Sequence, residues 1–147
     1  MEILLAYIGI AIMTAGAFVA SSIGVTITGN SVVGAMKKNP DAFGSYLILS
    51  ALPASQGLYG LVGFFMLQKF LVESVTKLQA YAILCLGIMM AISCLYSSIR
   101  QAHVCANGVT ATGAGHNVMV ATMVMAVFPE LYAILALLVV ILTSFAI

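Results

Sequence analysis

Four long apolar segments alternate with short polar connections along the chain. Each is long enough to cross about 30 Å of hydrocarbon as a helix. Their apolar residues do not alternate with a period of two, so the pattern does not indicate the strands of a closed barrel. Because the connections are short, successive helices are expected to lie antiparallel to each other. The pattern predicts an all-α membrane protein with four transmembrane helices, at roughly 3–33, 43–70, 78–106 and 117–147.

The composition agrees with this prediction. Apolar residues make up 63% of the chain and charged residues only 6%, whereas about a quarter of the residues in a soluble domain are charged. The net charge of +1 and the lack of basic or aromatic clusters give no reason to expect a nucleic-acid partner. The first apolar segment follows Glu2 without a basic region and is too long for a signal peptide, so we expect it to remain as a span.

The two halves of the chain resemble each other. "SSIG" at residues 21–24 recurs as "SSIR" at 97–100, and "GLYGLVGFF" from Gly57 aligns with "ELYAILALL" from Glu130. We therefore predict a single membrane domain made of two helical hairpin repeats, residues 1–72 and 73–147. The second repeat has Glu130 where the first has Gly57, which favours one active site per chain.

Small residues recur at helical spacing on the first and third predicted helices. They include Gly9, Gly16 and Gly24 on the first, and Gly87, Ala91 and Ser98 on the third. Small faces let membrane helices approach closely. Two interpretations remain open here: packing within the chain, or a crowded inner wall of a ring.

Glu130 is the only charged residue of the last apolar segment. A carboxylate at that depth costs several kcal/mol unless something compensates it. The third connection centres near Gly115, which is equally far in sequence from Gln101 and Glu130. Since antiparallel helices rise equally per residue, both side chains should lie at one depth. Gln56 is about as far from the first turn, so we predict that all three polar groups share one plane.

The second predicted helix adds a stripe of residues at i, i+3, i+4 and i+7, which share one helical face. Three of the four are polar, in a segment with few other polar groups. Pro53 cannot donate a backbone hydrogen bond and should loosen its turn, as should Pro129 before the glutamate. The stripe consists of Leu52, Ser55, Gln56 and Tyr59.

The pooled candidate ligands are all oxygen atoms: a carboxylate, two amides, a hydroxyl and a backbone carbonyl. Such a set suits neither zinc nor a redox metal. One carboxylate neutralises one monovalent cation, whereas a divalent ion would leave a net buried charge. These donors favour Na⁺. A proton needs only the carboxylate and remains the alternative.

Three stretches together resemble the proteolipid subunit of V-type ATPases, called K in bacterial sodium-pumping enzymes and c elsewhere. They are "LPASQGLYG" at 52–60, "SSIRQAHVCANG" at 97–108 and "FPELYAIL" at 128–135. The likeness covers essentially the whole chain. It implies a homo-oligomeric rotor ring in the cell membrane, with the first and third helices inside. It also implies a stator membrane subunit that carries an arginine, and a central-stalk subunit at the cytoplasmic loops.

In the sodium-transporting branch, the resemblance implies a Na⁺ site and a role for each residue in it. The carboxylate of Glu130, the amides of two glutamines, a hydroxyl and a backbone carbonyl would hold the ion, and a tyrosine would close the site. Serine here replaces the threonine of the family and keeps its oxygen. The residues that match are Glu130, Gln56, Gln101, Ser55, Leu52 (carbonyl) and Tyr59.

The chain is not expected to be an enzyme. It has no phosphate-binding G-x-x-x-x-G-K-[ST] loop and no nucleophile–base arrangement, so ATP hydrolysis is expected in other subunits. No organic cofactor is expected. Two alternatives remain open: a proton-translocating version of the same ring subunit and, more remotely, a stand-alone four-helix ion channel or carrier.

Arg100, next to Gln101, departs from the family pattern. Three positions are open to its side chain. It could pair with Glu130 and modulate or weaken ion binding, point to the inner face of the ring, or contact a neighbouring subunit. Of the first two, we favour the inner face, because a carrier site with its own competing arginine would bind its ion poorly.

Overall fold

A computed structural model describes all 147 residues of the chain. It is helical, with no strand, and four helical segments are long and apolar enough to cross a membrane. This confirms the predicted all-α membrane fold with four spans. We refer to these segments as the first to fourth spans; they cover Glu2–Met36, Pro40–Phe70, Lys77–Gly113 and Met119–Ala146.

The second span is interrupted near its middle. Two α-helices, Phe43–Ala51 and Ser55–Leu67, are joined by a 3₁₀ turn at Leu52–Ala54 that contains Pro53. A proline lacks the N–H that would continue the α-helical ladder, which accounts for the tighter turn at this point. Pro129, in contrast, lies inside the continuous helix of the fourth span. The sequence therefore predicted the local effect of Pro53 better than that of Pro129.

The third span continues beyond its predicted end. We placed its end at 106 and interpreted "TATGAGHN" (110–117) as the connection, but the helix runs to Gly113, so this boundary was wrong. Tertiary packing explains the extension: a Cβ on Gly113 would lie only 2.8 Å from the Cβ of Ala35. Gly115 has a φ of +92°, a conformation that glycine adopts without strain, and lies in the turn to the fourth span.

The first and third spans pack closely against each other through small residues. A Cβ on Gly9 would lie 2.7 Å from backbone atoms of Ile83 and Leu84, and one on Gly16 would collide with Ala91. Gly87 lies directly against the backbone of Gly9. These glycines therefore pack within the chain, and any larger residue would force the two helices apart.

The connections between spans are held by polar contacts. Thr76 and Gln79 form a capping box at the start of the third span, with bonds of 3.3 and 3.0 Å. The Gln79 amide also donates to the carbonyl of Ile147 at 2.8 Å, and the Lys69 ammonium donates to that of Ser144 at 2.7 Å. The C-terminus is thus tied to the connection between the two predicted hairpins.

Large apolar side chains cover much of the outer surface. Many of them are exposed in the isolated chain, particularly along the fourth span, where Leu131, Leu142 and Phe145 point outward. A soluble protein rarely leaves so much apolar surface uncovered. Lipid or neighbouring chains must cover these faces, as expected for a membrane protein.

Candidate ion-binding site

Both oxygens of the Glu130 carboxylate accept hydrogen bonds. The phenol of Tyr59 donates to Oε1 at 2.6 Å, and the amide of Gln101 donates to Oε2 at 2.9 Å. Tyr59 comes from the second span and Gln101 from the third. Glu130 itself is half-buried on the fourth span. The carboxylate is thus held from both repeats while one side of it remains near the outer surface.

The two glutamines form the buried part of the site. The amide of Gln56 donates to Oε1 of Gln101 at 2.9 Å and to the hydroxyl of Ser97 at 3.0 Å. The amide of Gln101 also donates to the carbonyl of Ala126 at 3.2 Å. Both glutamine side chains are fully buried. The structure therefore brings Gln56, Gln101 and Glu130 together, and their role as ligands stays a prediction.

Ser55 and Leu52 lie at the far end of this network. The Ser55 hydroxyl donates to the carbonyl of Leu52 at 3.0 Å and, more weakly, to Oε1 of Gln56 at 3.4 Å. The Ser55 hydroxyl thus links the carbonyl of Leu52 to the side chain of Gln56. These two residues are connected to Glu130 through the glutamines, and no hydrogen bond joins them to it directly.

Three groups of the network were missed from the sequence. Ser97 precedes Gln101 by four residues and so lies on the same helical face, a spacing that could have revealed it. The carbonyl of Ala126 accepts from Gln101, a contact with the backbone of the fourth span that the sequence did not indicate. The thiol of Cys94 lies 3.7 Å from the carbonyl of Gln56, a contact that sequence spacing does not reveal.

Arg100 does not pair with Glu130. Its side chain is exposed and lines an open cavity of about 480 Å³ between the third and fourth spans. The only ion pair of the chain joins the terminal amine to Glu2, at 3.4 Å. The structure therefore gives no support to a pair between Arg100 and Glu130 within the chain.

The arrangement offers one negative charge surrounded by neutral oxygen and nitrogen groups. A single monovalent cation or a proton would neutralise it, and the amide, hydroxyl and carbonyl oxygens could replace part of the hydration shell of a cation. Hard oxygen donors of this kind suit alkali and alkaline-earth ions.

The model of the ATP synthase C-subunit family matches the chain twice, at residues 8–67 and 84–143. The chain belongs to this family. The family forms rings of non-catalytic membrane subunits in rotary ATPases. As a member with four helices long and apolar enough to span a membrane, the chain is a multi-pass membrane protein.

Two known proteins are similar to this chain over most of the length of the chain. The A-type ATP synthase subunit K of Methanocaldococcus jannaschii is 33% identical over 134 residues, which are 91% of the chain but 58% of that relative. The V-type sodium ATPase subunit K of Enterococcus hirae is 32% identical over 117 residues, 80% of the chain and 75% of that relative. These matches confirm the resemblance to a V-type ATPase proteolipid subunit. The chain spans little more than half of the archaeal relative.

Proposed function

We propose that this chain carries Na⁺ in the rotor ring of a V-type ATPase, with Glu130 as the ion-binding carboxylate. The observation that carries the proposal is the hydrogen-bonded network from Glu130 through Gln101 to Gln56 at mid-membrane depth. A carboxylate that only bound a proton would have no need of two fully buried amides. The relative named a sodium ATPase subunit supports the choice of ion.

Each side chain has a distinct part in this proposal. Glu130 supplies the charge, and Gln56, Gln101, Ser55 and the Leu52 carbonyl supply neutral oxygens. Gln101 now directs its amide nitrogen toward Glu130 and its oxygen toward Gln56. Ion binding therefore requires the Gln101 amide to turn, a rotation about a soft terminal torsion.

Tyr59 closes the site in this proposal. Tyr59 and Glu130 are both half-buried, and the phenol of Tyr59 donates the shortest hydrogen bond of the network to the carboxylate. The aromatic ring thus separates the ion from lipid, while its hydroxyl stabilises the carboxylate without contributing a charge. Movement of this one side chain would suffice to expose the carboxylate.

The transport mechanism follows from the charge of the site. An ionised Glu130 that faces lipid is costly, whereas the same group with bound Na⁺ is neutral and can rotate through the bilayer. We propose that a stator membrane subunit with an arginine compensates the carboxylate when it empties and refills. ATP hydrolysis in other subunits would drive the rotation through a central stalk at the cytoplasmic loops.

We also propose that the chain comprises two hairpin repeats, residues 1–72 and 73–147. The two stretches matched by the family model cover residues 8–67 and 84–143, so both their starts and their ends are 76 residues apart. The candidate site lies between the repeats, because Tyr59 and Gln56 belong to the first and Gln101 and Glu130 to the second.

Carbodiimide labelling of Glu130 in purified rings tests the ion. Carbodiimides react with the protonated carboxyl, so Na⁺ that displaces the proton should slow labelling, and more Na⁺ should be needed at lower pH. K⁺ at equal ionic strength is the control. A labelling rate that does not change with Na⁺ concentration at any pH would favour the proton carrier. Ion flux through liposomes that contain this chain alone would favour the channel or carrier.

A further inference from the structure

The open cavity that Arg100 lines is formed by the second repeat alone. It lies between the third and fourth spans and holds about 480 Å³. Arg100 is adjacent in sequence to Gln101, so the cavity lies at about the depth of the candidate ion site. Its lining includes Tyr96, Ser97, Arg100, Phe128, Pro129 and Tyr132.

The repeat shows which face of the chain this cavity occupies. At the offset of 73 residues that relates Glu130 to Gly57, each cavity residue of the fourth span corresponds to a residue of the second span. Phe128, Pro129 and Tyr132 have Ser55, Gln56 and Tyr59 as their counterparts. In the first repeat, Gln56 and Tyr59 donate hydrogen bonds to the second repeat across the candidate ion site. In a ring of repeats, the cavity face must therefore meet the first repeat of the next chain.

The residue that corresponds to Arg100 in the first repeat is Gly24. A Cβ on Gly24 would collide with the hydroxyl of Ser98 and lie 2.6 Å from Pro53, so the junction within the chain has no room for a side chain there. The junction between chains must accommodate an arginine at the same position. The two kinds of junction therefore differ in spacing, even though the repeats are related.

The next chain brings no carboxylate to this junction. The counterparts of Glu130 and Gln101 there are Gly57 and Val25. It does bring hydroxyls: the counterpart of Ser98 is Ser22, which is exposed, and Ser21 beside it is half-buried. The Ser21 hydroxyl donates to the carbonyl of Ala54 at 3.1 Å, which leaves its oxygen free to accept.

A guanidinium at mid-membrane depth needs acceptors. Arg100 makes no ion pair and no side-chain hydrogen bond within its own chain, so the acceptors must come from outside it. The hydroxyls at Ser21 and Ser22 of the next chain are the polar groups that the repeat places opposite its cavity. They would accept from part of the five donors of the guanidinium.

We propose that Arg100 inserts between neighbouring chains of the ring and binds the first span of the next chain around Ser22. Each chain would then form two different junctions: an internal one that binds an exchangeable cation, and an external one that a tethered guanidinium closes. This inference rests on the ring assembly of the proposed function but not on the identity of the transported ion.

Cysteine cross-linking tests the proposed neighbour. Ser22→Cys and Arg100→Cys are combined in a chain whose native cysteines are removed, and assembled rings are oxidised in membranes. We expect a ladder of covalent dimers, trimers and larger species on a denaturing gel. In the matched control, Gly29→Cys replaces Ser22→Cys; it lies two turns along the same helix and should give monomers. The background substitutions are Cys85→Ala, Cys94→Ala and Cys105→Ala.

The outcomes separate this inference from the proposed function. Intact rings that show Na⁺ protection of Glu130 but no ladder would overturn the position of Arg100 and leave the ion site standing. A ladder without Na⁺ protection would support the junction and reject the sodium site. Covalent dimers from Arg100→Cys alone would also overturn the inference, since they require two copies of this position to meet.

A second measurement applies if the double-cysteine chain does not assemble. Thermal dissociation of detergent-purified rings is compared for Arg100→Lys and Arg100→Ala. We expect the lysine variant to retain most of the ring stability and the alanine variant to dissociate at a clearly lower temperature. Na⁺ protection of Glu130 should stay within about twofold of the unchanged chain in both. Equal dissociation temperatures for all three rings would overturn the proposal.

Discussion

Gln101 provides the sharpest test of the candidate site, because its side chain forms hydrogen bonds with both Glu130 and Gln56. In Gln101→Ala, the carboxylate loses its 2.9 Å donor and keeps the bond from Tyr59. Gln56 keeps its bond to Ser97 at 3.0 Å, so its amide is not left without a partner. The substitution should therefore act on the site more than on the fold.

The size of the effect follows from the contacts that are lost. A hydrogen bond to a charged group contributes about 1.5–3 kcal/mol, and 1.4 kcal/mol corresponds to a tenfold change in affinity. The bond from its nitrogen to Glu130 belongs to the ion-free site, whereas in the ion-bound site the turned amide contributes its oxygen to the cation on a similar scale. The loss of the ion-free bond offsets part of the loss of the oxygen ligand, so we expect Gln101→Ala to raise the Na⁺ concentration that half-protects Glu130 by roughly tenfold.

The assay is carbodiimide labelling of purified rings over a Na⁺ titration, with the mass of the intact oligomer measured for each variant. Gln101→Met, which fills much of the same space without a hydrogen-bonding amide, should show the same loss and separates chemistry from packing. Gln68→Ala, at an exposed position, is the control and should leave protection unchanged. Unaltered protection in Gln101→Ala rings of normal mass would refute the role of this residue as a ligand.

Three further outcomes are expected. Glu130→Gln should abolish ATP-driven ion transport in the complete pump but leave rings assembled, because glutamine cannot neutralise a cation; retained transport would contradict this. Tyr59→Phe, which removes the 2.6 Å donor, should speed carbodiimide labelling of Glu130 at a given Na⁺ concentration, and an unchanged rate would argue against its closing role. Gly87→Leu should prevent ring formation because it collides with the backbone of Gly9, whereas Gly29→Ala, with open space around it, should not; gel filtration distinguishes the two.

The contacts of the site were predictable where helical geometry alone determines them. Equal sequence distances from the third turn placed Gln101 and Glu130 at one depth, and the structure joins them at 2.9 Å. The prediction survived an error in the boundary of the third span because that error left the turn near Gly115 in place. Periodicity and hairpin geometry are properties of the local chain, so one sequence was sufficient for them.

Contacts that depend on packing between helices were not predictable. The helix continues to Gly113 because Ala35 packs against it, a contact between residues far apart in sequence. The orientation of Arg100 also depends on packing. Its spacing from Gln101 gave a direction on the helix, and the structure adds that the side chain lines the cavity between the third and fourth spans. Helical spacing gives a direction around one axis but not the neighbour found in that direction.

The close contact between the first and third spans has a consequence for biogenesis. Gly9 and Gly87 are separated by 78 residues, so at typical rates of 5–20 residues per second the ribosome needs roughly 4–16 s to complete the partner. During that interval the first span has its glycine face uncovered by the third span. The third span must then reach this face although the second span follows the first directly. Insertion of this protein is therefore a delayed assembly, and a membrane insertase that shields the first hairpin would be of most use during this wait.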